Sequence, residues 1–216
     1  MGSKSSGTPS WEGLAVCTFA IMGEVFLGIE HITDPSGYDH MLFLVALAAW
    51  ADLQHWRKIF LLATAFTLGH SITLALAGFD VVRPHSTWIE FLIPVSIFFT
   101  GLYNCRRSLT RKRRSTDPPP GFDGAAYLAT TGFGLIHGLG FSSFFRMTRD
   151  ETSSLVLGLF QFNLGVEIGQ VLILLVFLAM ASLLRGSGIS AREQQLFFAG
   201  AAVGLSLIMA LERLPI

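Results

Sequence analysis

The chain has 216 residues, of which 51% are hydrophobic and 14% are charged, and its formal net charge at pH 7 is zero. A soluble domain carries about 25% charged residues, so this composition excludes an ordinary soluble globular protein and indicates a membrane protein. The chain has only two cysteines, far apart in sequence, which excludes a disulfide framework or a cysteine-rich metal site.

The predicted elements begin after residues 1–13, which lack the features of a signal peptide and are expected to form a flexible tail. Segment 14–31 is apolar but contains Glu24 and Glu30, so it either crosses the membrane or lies at its surface. Six further windows are long and apolar enough to span a bilayer as helices: 38–52, 58–78, 87–105, 125–146, 155–184 and 194–212. The sequence therefore predicts an all-α, polytopic transmembrane helical bundle with six to seven spans, in which residues 14–216 form a single domain.

Basic residues are concentrated on alternate loops of this predicted topology. The loop 106–124 contains six of them, Arg106, Arg107, Arg111, Lys112, Arg113 and Arg114, and the loops two crossings away add Arg57, Lys58, Arg185 and Arg192. By the positive-inside rule these loops are cytoplasmic. An anionic-lipid or nucleic-acid patch is the alternative, but topogenic charge explains the pattern, and no nucleic-acid partner is expected. We expect a multi-pass protein of the inner (plasma) membrane, with residues 31–40 on the exoplasmic or periplasmic face.

Imidazole and carboxylate side chains recur in the exoplasmic half of the predicted spans. Asp39 and His40 open the first span, and at ~1.5 Å rise per residue His70 lies ~12 Å below its helix end and Glu167 ~18 Å into its helix. His137 is nine residues from the end of its own span. Charged groups facing lipid are costly, so such residues turn towards a partner, a cavity or a metal. Imidazoles with carboxylates suit zinc, nickel or cobalt, and the candidate metal ligands are His31, Asp39, His40, His70, His137 and Glu167.

Polar partners for these ligands are available on the same helices. Ser71 follows His70, while Asn163 and Gln170 share a helix face with Glu167, so these three are candidates to support the ligands. Any single histidine could equally be a structural residue hydrogen-bonded across helices, and His85 falls in a predicted loop. The similarity of FTLGH at 66–70 to FGLIH at 133–137 would suit a transporter repeat in parallel helices.

Several blocks of sequence carry a family resemblance: GIEHI at 28–32, GYDHMLFL at 37–44, TLGHSITL at 67–74, GFGLIHGLGF at 132–141 and FNLGVEIGQ at 162–170. With these blocks the chain resembles the HupE/UreJ membrane proteins, particularly their second, less characterised branch. The resemblance implies a hydrogenase or urease accessory component and a nickel or cobalt permease. It also implies that the metal-motif positions of the family fall on His31, Asp39, His40 and His137.

Three functions remain open at this point. In a divalent-metal permease or accessory protein, which the resemblance favours, Asp39 and His40 would capture the ion and His70, His137 and Glu167 would pass it inward. In a zinc-dependent membrane hydrolase acting on a lipid or membrane peptide, Asp39 or Glu167 would be the general base. A haem-binding sensor with His70 and His137 as axial ligands is the third. A retinal photoreceptor is excluded, because the lysines Lys4, Lys58 and Lys112 lie outside or at the very end of the predicted spans. Besides the metal, the two leading functions imply no cofactor. The metal identity and the oligomeric state stay open.

Overall fold

The computed structural model describes residues 23–83, 85–110, 124–148 and 154–215, with the backbone alone for residues 143–148. The predicted N-terminal tail, the start of segment 14–31 and most of the basic loop lie outside these residues. The described residues form seven α-helices and no β-strand: α1 (described over 23–33), α2 (Asp39–Ala48), α3 (Trp56–Gly78), α4 (Ser86–Thr110), α5 (Gly124–Thr148), α6 (Leu155–Gly186) and α7 (Ala191–Glu212). The predicted helical bundle is confirmed.

Within the described residues, four helices are long and apolar enough to cross a membrane: α3 with the turn before it, α4, α6 and α7. Many of their large apolar side chains are exposed to the surroundings of the bundle, among them Leu61, Leu157 and Leu183. Apolar side chains exposed on this scale require a lipid environment. The protein is therefore a membrane protein, and the bilayer is its environment.

Helix α1 runs parallel to the first half of α6. Gly28 contacts α6 beside Phe162 and Gly165, and further along both helices Ile32 contacts Gly169. A side chain at Gly28 would clash with the carbonyl oxygen of Phe162, so the two backbones touch directly. Small residues allow this close approach of membrane helices. The contact therefore fixes the direction and the register of α1 against α6.

Helix α2 runs parallel to the second half of the same helix. Its Leu44 and Ala48 belong to one buried cluster with Leu174 and Leu178 of α6, and the residues after α2 bond to Arg185 at the end of α6. α2 has ten residues, or ~15 Å of helix, about half of the ~30 Å hydrocarbon core. The prediction that 38–52 spans the membrane alone was wrong. The described part of α1 and the short helix α2 instead follow α6 one after the other.

A short irregular segment, 34–38, separates these two helices. Asp34 accepts a hydrogen bond from the Ser36 backbone N–H at 2.8 Å and caps a 3-10 turn at Pro35–Gly37. Proline at the start of a turn and aspartate before it are the residues that favour this geometry. Irregular backbone at membrane depth is tolerated where it lines a cavity. The break therefore indicates a cavity at this level of the bundle.

The contact between α3 and α5 repeats the contact between α1 and α6. Gly69 touches α5 at Thr131, three residues before Gly134, just as Gly28 touches α6 at Phe162, three residues before Gly165. In return Gly134 touches Phe66, three residues before Gly69, and Gly165 touches Val25, three residues before Gly28. Both pairs are parallel, with the same register. The bundle therefore contains two equivalent helix pairs, α1 with α6 and α3 with α5.

These two pairs run in opposite directions. α3 is antiparallel to α6, since Leu74 lies in a cluster with Phe162 whereas Ala63 lies in a cluster with Leu174. α4 and α7 are antiparallel too, because Gln195, near the start of α7, bonds to Asn104, near the end of α4. The arrangement is that of an inverted repeat, which relates α1 to α5, α3 to α6 and α4 to α7.

The sequence agrees with this repeat. GxxH occurs at 28–31 and at 134–137, and FxLG occurs at 66–69 and at 162–165. The contacts thus relate 66–69 to 162–165, rather than to 133–137 as the similarity of FTLGH and FGLIH suggested. His31 and His137 are equivalent residues of the two copies.

Candidate metal centre

Four histidines from four helices meet inside the bundle: His31 on α1, His40 on α2, His70 on α3 and His137 on α5. The ring centroid of His40 lies 4.6 Å from that of His31, 6.0 Å from that of His70 and 5.2 Å from that of His137. One ring nitrogen each of His31, His40 and His70 lie within 4.8 Å of one another. His40 is therefore the centre of the group. We call these four residues the histidine cluster.

The break between α1 and α2 and the inverted repeat together place these side chains. Because α1 ends before the turn and α2 begins just after it, His31 and His40 face each other although nine positions separate them. His31 lies 5.6 Å from Phe162, and its repeat equivalent His137 lies 5.0 Å from Phe66, which is the equivalent of Phe162. The repeat thus brings one histidine from each copy to the same level of the bundle.

Hydrogen bonds fix the tautomers of two histidines. His40 Nδ1 lies 2.9 Å from Asp39 Oδ1, and His137 Nδ1 lies 2.8 Å from the Phe133 carbonyl oxygen. An ionised carboxylate and a carbonyl only accept hydrogen bonds, so both Nδ1 atoms carry the proton. The Nε2 atom of each neutral ring then presents a lone pair, as in metal-binding histidines held by an acceptor on the other nitrogen.

The remaining ring nitrogens are buried without hydrogen-bond partners among the described residues. This applies to Nε2 of His31, His40 and His137 and to both nitrogens of His70. His70 and His137 have no exposed surface at all. Buried polar atoms in proteins are nearly always satisfied, and several converging imidazole nitrogens are the donor set that zinc, nickel and cobalt accept. The cluster fits such an ion.

The histidine cluster borders a cavity of about 270 Å³ that opens at one end of the bundle. Asp34 and Gly37 of the break, Glu90 of α4 and Arg213 after α7 line it as well. The Arg213 guanidinium lies 3.4 Å from Asp39 Oδ2. This opening is at one end of the bundle. Arg185 and the predicted cytoplasmic loops lie at the other end. We call this cavity the histidine cavity.

Not every candidate ligand joins the cluster. Glu167 accepts a hydrogen bond from Thr64 on α3, six residues and ~9 Å of helix before His70. Asp39 is bound to His40 and Arg213, so it orients the His40 ring and balances the charge of Arg213. Glu167 therefore lies at a different depth from the histidine cluster and contacts Thr64 instead.

The three candidate supporting residues divide in the same way. Asn163 lies beside His70, and its amide oxygen is buried without a partner among the described residues. Gln170 accepts from Thr67 at 3.1 Å, and Ser71 donates to the Thr67 carbonyl at 2.7 Å. Of these three residues, Asn163 is the one whose side chain lies beside a histidine side chain of the cluster.

Arg213 is a site residue that the sequence analysis missed. It follows the last apolar window, at the end of the bundle that carries few basic residues. The positive-inside rule does not account for an arginine at this end, but Arg83 lies there as well, so the charge pattern alone could not have identified Arg213. Its ion pair with Asp39 places a fixed positive charge at the mouth of the histidine cavity.

Comparison with known proteins identifies a family. A family model described as HupE / UreJ protein matches residues 12–212, which include the whole histidine cluster. Curated proteins and solved structures give no match to the chain. The resemblance carried by the sequence blocks is confirmed: the chain belongs to the HupE/UreJ family.

Proposed function

We propose that this protein binds a divalent transition metal, nickel, cobalt or zinc, at the histidine cluster and conducts it through the membrane as a permease or accessory protein. The observation that supports this most is the convergence of buried imidazole nitrogens without partners from four helices. The family is associated with nickel and cobalt handling.

The donor set favours these metals over calcium or magnesium. Hard cations take oxygen ligands, whereas His31, His40, His70 and His137 offer ring nitrogens that suit nickel, cobalt and zinc. Asp39 makes His40 a better ligand, because a carboxylate on Nδ1 raises the basicity of the other nitrogen. Arg213 neutralises the Asp39 charge, so the cluster presents little net charge before an ion enters.

We further propose that the ion enters from the exoplasmic side of the inner membrane. The histidine cavity opens at the end of the bundle opposite Arg185, and the loops at the Arg185 end carry most of the basic residues. The positive-inside rule makes that end cytoplasmic. Glu90 and Asp34 would meet the hydrated ion first, and the imidazoles would then replace part of its water shell.

The two alternative functions have less support. A zinc hydrolase needs a free general base, but Asp39 is held by His40 and Arg213, and Glu167 is held by Thr64. A haem between His70 and His137 would require the space that His40 occupies, since His40 contacts both rings. The geometry favours a compact ion.

Metal analysis of the purified protein tests the binding step. We expect about one nickel, cobalt or zinc ion per chain after incubation with each metal and gel filtration, and loss of that ion in His70→Ala and His137→Ala. His85→Ala is the matched control, because His85 is exposed in the loop before α4. Absence of metal from the wild type, or full occupancy in both cluster variants, would overturn the proposal.

Uptake into proteoliposomes tests the transport step. We expect saturable influx of nickel, cobalt or zinc with the wild type and with His85→Ala, and loss of influx with His70→Ala. Tight, non-exchanging metal without influx would contradict the permease and support a catalytic or storage role for the same cluster.

A further inference from the structure

A second cavity, of about 380 Å³, lies on the other side of the histidine cluster. It lies between α2, α3, α4 and α5, in the half of the bundle that contains the ends of α2 and α4, and its lining includes Trp50, Thr100, Asn104, Ala129, Thr130 and Phe133. Phe99 and Tyr103, which are 56% and 53% exposed, also line it, so the cavity is open at the surface of the bundle. We call it the basic-side cavity. The proposed function gives it no role so far, and the polar groups of the histidine cluster do not extend into it.

The two cavities are lined by consecutive turns of the same helix faces. On α5 the lining passes from His137 to Phe133 and Ala129, in steps of four residues. On α4 it passes from Glu90 and Ile93 of the first cavity to Thr100 and Asn104 of the second, and on α2 from His40 to Leu47. Residues three or four apart lie on one face of a helix. The cavities are therefore aligned along one axis between α2, α4 and α5.

Three apolar side chains lie between the cavities. Phe43 lies between His40 and Leu47 on the α2 face, and Ile97 lies between Ile93 and Thr100 on the α4 face; neither has any exposed surface. The Phe133 ring lies 6.1 Å from that of Phe43, and Phe43 lies 5.4 Å from His137. We call Phe43, Ile97 and Phe133 the apolar layer. It closes the axis directly beneath the histidine cluster.

The basic-side cavity also contains a polar group that suits water or a hydrated cation. Asn104 is only 3% exposed, and its Nδ2 donates to the Ala46 carbonyl at 2.8 Å. Its amide oxygen, Oδ1, has no hydrogen-bond partner among the described residues. Thr100 and Thr130 add hydroxyl groups to the same lining. A buried amide oxygen without a partner is costly unless water or an ion reaches it.

We propose that the two cavities are the two ends of one translocation path for a hydrated divalent cation, and that the apolar layer is its closed gate. The inference rests on the proposed function and supplies the half of the path that the histidine cluster leaves unexplained. Apolar constrictions block ions by excluding water, and inverted repeats allow a site to open alternately to either side. Opening requires Phe43 and Phe133 to separate.

Thiol labelling tests the basic-side cavity independently of transport. In a chain with Cys17→Ser and Cys105→Ser, we expect Thr130→Cys, at a lining position that is only 4% exposed, to react with a membrane-impermeant maleimide added from the side of the basic loops. Leu128→Cys is the control, because Leu128 is 76% exposed on the outer surface of the bundle and faces lipid. An unreactive Thr130→Cys, or equal reaction at both positions, would overturn the inference.

Nickel flux into proteoliposomes tests the gate. We expect Phe43→Ala to raise the passive flux of nickel down its gradient severalfold, because removal of the ring lets water enter the apolar layer. Phe177→Ala is the matched control: Phe177 is equally buried but lies in a different cluster, against α2 and away from the path. Both variants must elute as monodisperse protein before they are compared.

The outcomes separate this inference from the proposed function. If the wild type transports nickel but Phe43→Ala and Phe177→Ala have the same flux, the gate is wrong and the permease stands. If the wild type binds nickel without flux while Thr130→Cys is labelled, the permease and the translocation path are both wrong, and only the water-accessible basic-side cavity stands.

Discussion

Replacement of Asp39 by asparagine keeps the size of the side chain but removes the negative charge beside His40. Asp39 Oδ1 lies 2.9 Å from His40 Nδ1, and the residue is only 8% exposed, so water cannot replace the carboxylate. Loss of such a carboxylate partner typically lowers metal affinity by about 10–100-fold. Asp39→Asn also leaves Arg213 without its anion at the mouth of the cavity. We therefore expect Asp39→Asn to lower the nickel affinity by about 100-fold, or ~2.7 kcal/mol, near the upper end of that range.

Isothermal titration of the detergent-solubilised protein with nickel measures this change. Asp80→Asn is the control, because Asp80 is an exposed loop residue paired with Arg83. Four-ligand zinc sites provide about 10–16 kcal/mol, or roughly 2.5–4 kcal/mol per ligand, so His40→Ala should lower the affinity about 10²–10³-fold. Since Asp39 acts mainly through His40, we expect Asp39→Asn to cause a much smaller loss in the His40→Ala background, limited to the effect of the unpaired Arg213.

Two results would refute this reasoning. If folded Asp39→Asn binds nickel as tightly as the wild type, the orientation of His40 does not matter and the cluster is not the binding site. If Asp39→Asn lowers the affinity equally with and without His40, then Asp39 acts independently of that ring.

Two further predictions concern stability, measured by thermal unfolding in detergent. A Cβ at Gly134 would meet the Phe66 carbonyl oxygen, so Gly134→Ala should destabilise the protein by about 1–3 kcal/mol. Gly132, two residues earlier on α5, faces open space, so Gly132→Ala should stabilise the protein by about 0.5–1 kcal/mol. Equal effects of the two substitutions would contradict the close contact at Gly134. Burial acts to raise the pKa of Asp52, but hydrogen bonds from His55 and Arg185 outweigh it and hold that pKa below its usual value. The stabilisation by Asp52 is then complete above the ordinary aspartate pKa of about 3.9 and is lost as the pH falls towards the lower pKa of the folded state. The difference in unfolding temperature between the wild type and Asp52→Asn should therefore shrink below about pH 4. A difference that grows below that pH would be inconsistent with a lowered pKa of Asp52.

Depth along the helices could be predicted from the sequence, and it identified most of the cluster. Counting residues from the helix ends placed His70 and His137 at a similar depth but left His40 at the outer end of its span, whereas the structure brings all three rings together. Counting could not establish that His31 belongs with them, because that depends on the break at 34–38. A hydropathy window records how apolar a segment is, not whether two short helices share one crossing.

Direction around the helix axis could not be predicted. Glu167 lies at the level of Thr64, ~9 Å of helix before His70, and α6 turns Gly165 and Gly169 towards α1. Which face of α6 meets α1 is decided by the fit of glycine against the Phe162 and Val25 carbonyl groups, and no pattern within one helix specifies that fit. The inverted repeat could not be recognised from the sequence for the same reason. Its two copies share few identical residues and are related mainly by equivalent contacts between helices.

The glycine contacts also limit which parts of this protein can move. At Gly28 with Gly165, and at Gly69 with Gly134, the backbones touch without intervening side chains, so either pair would lose its dispersion contacts at once if it slid apart. Each pair is expected to behave as one rigid body. Relative motion is then left to the boundary between the two bodies, with residues 34–38 as the hinge, and that boundary contains His40.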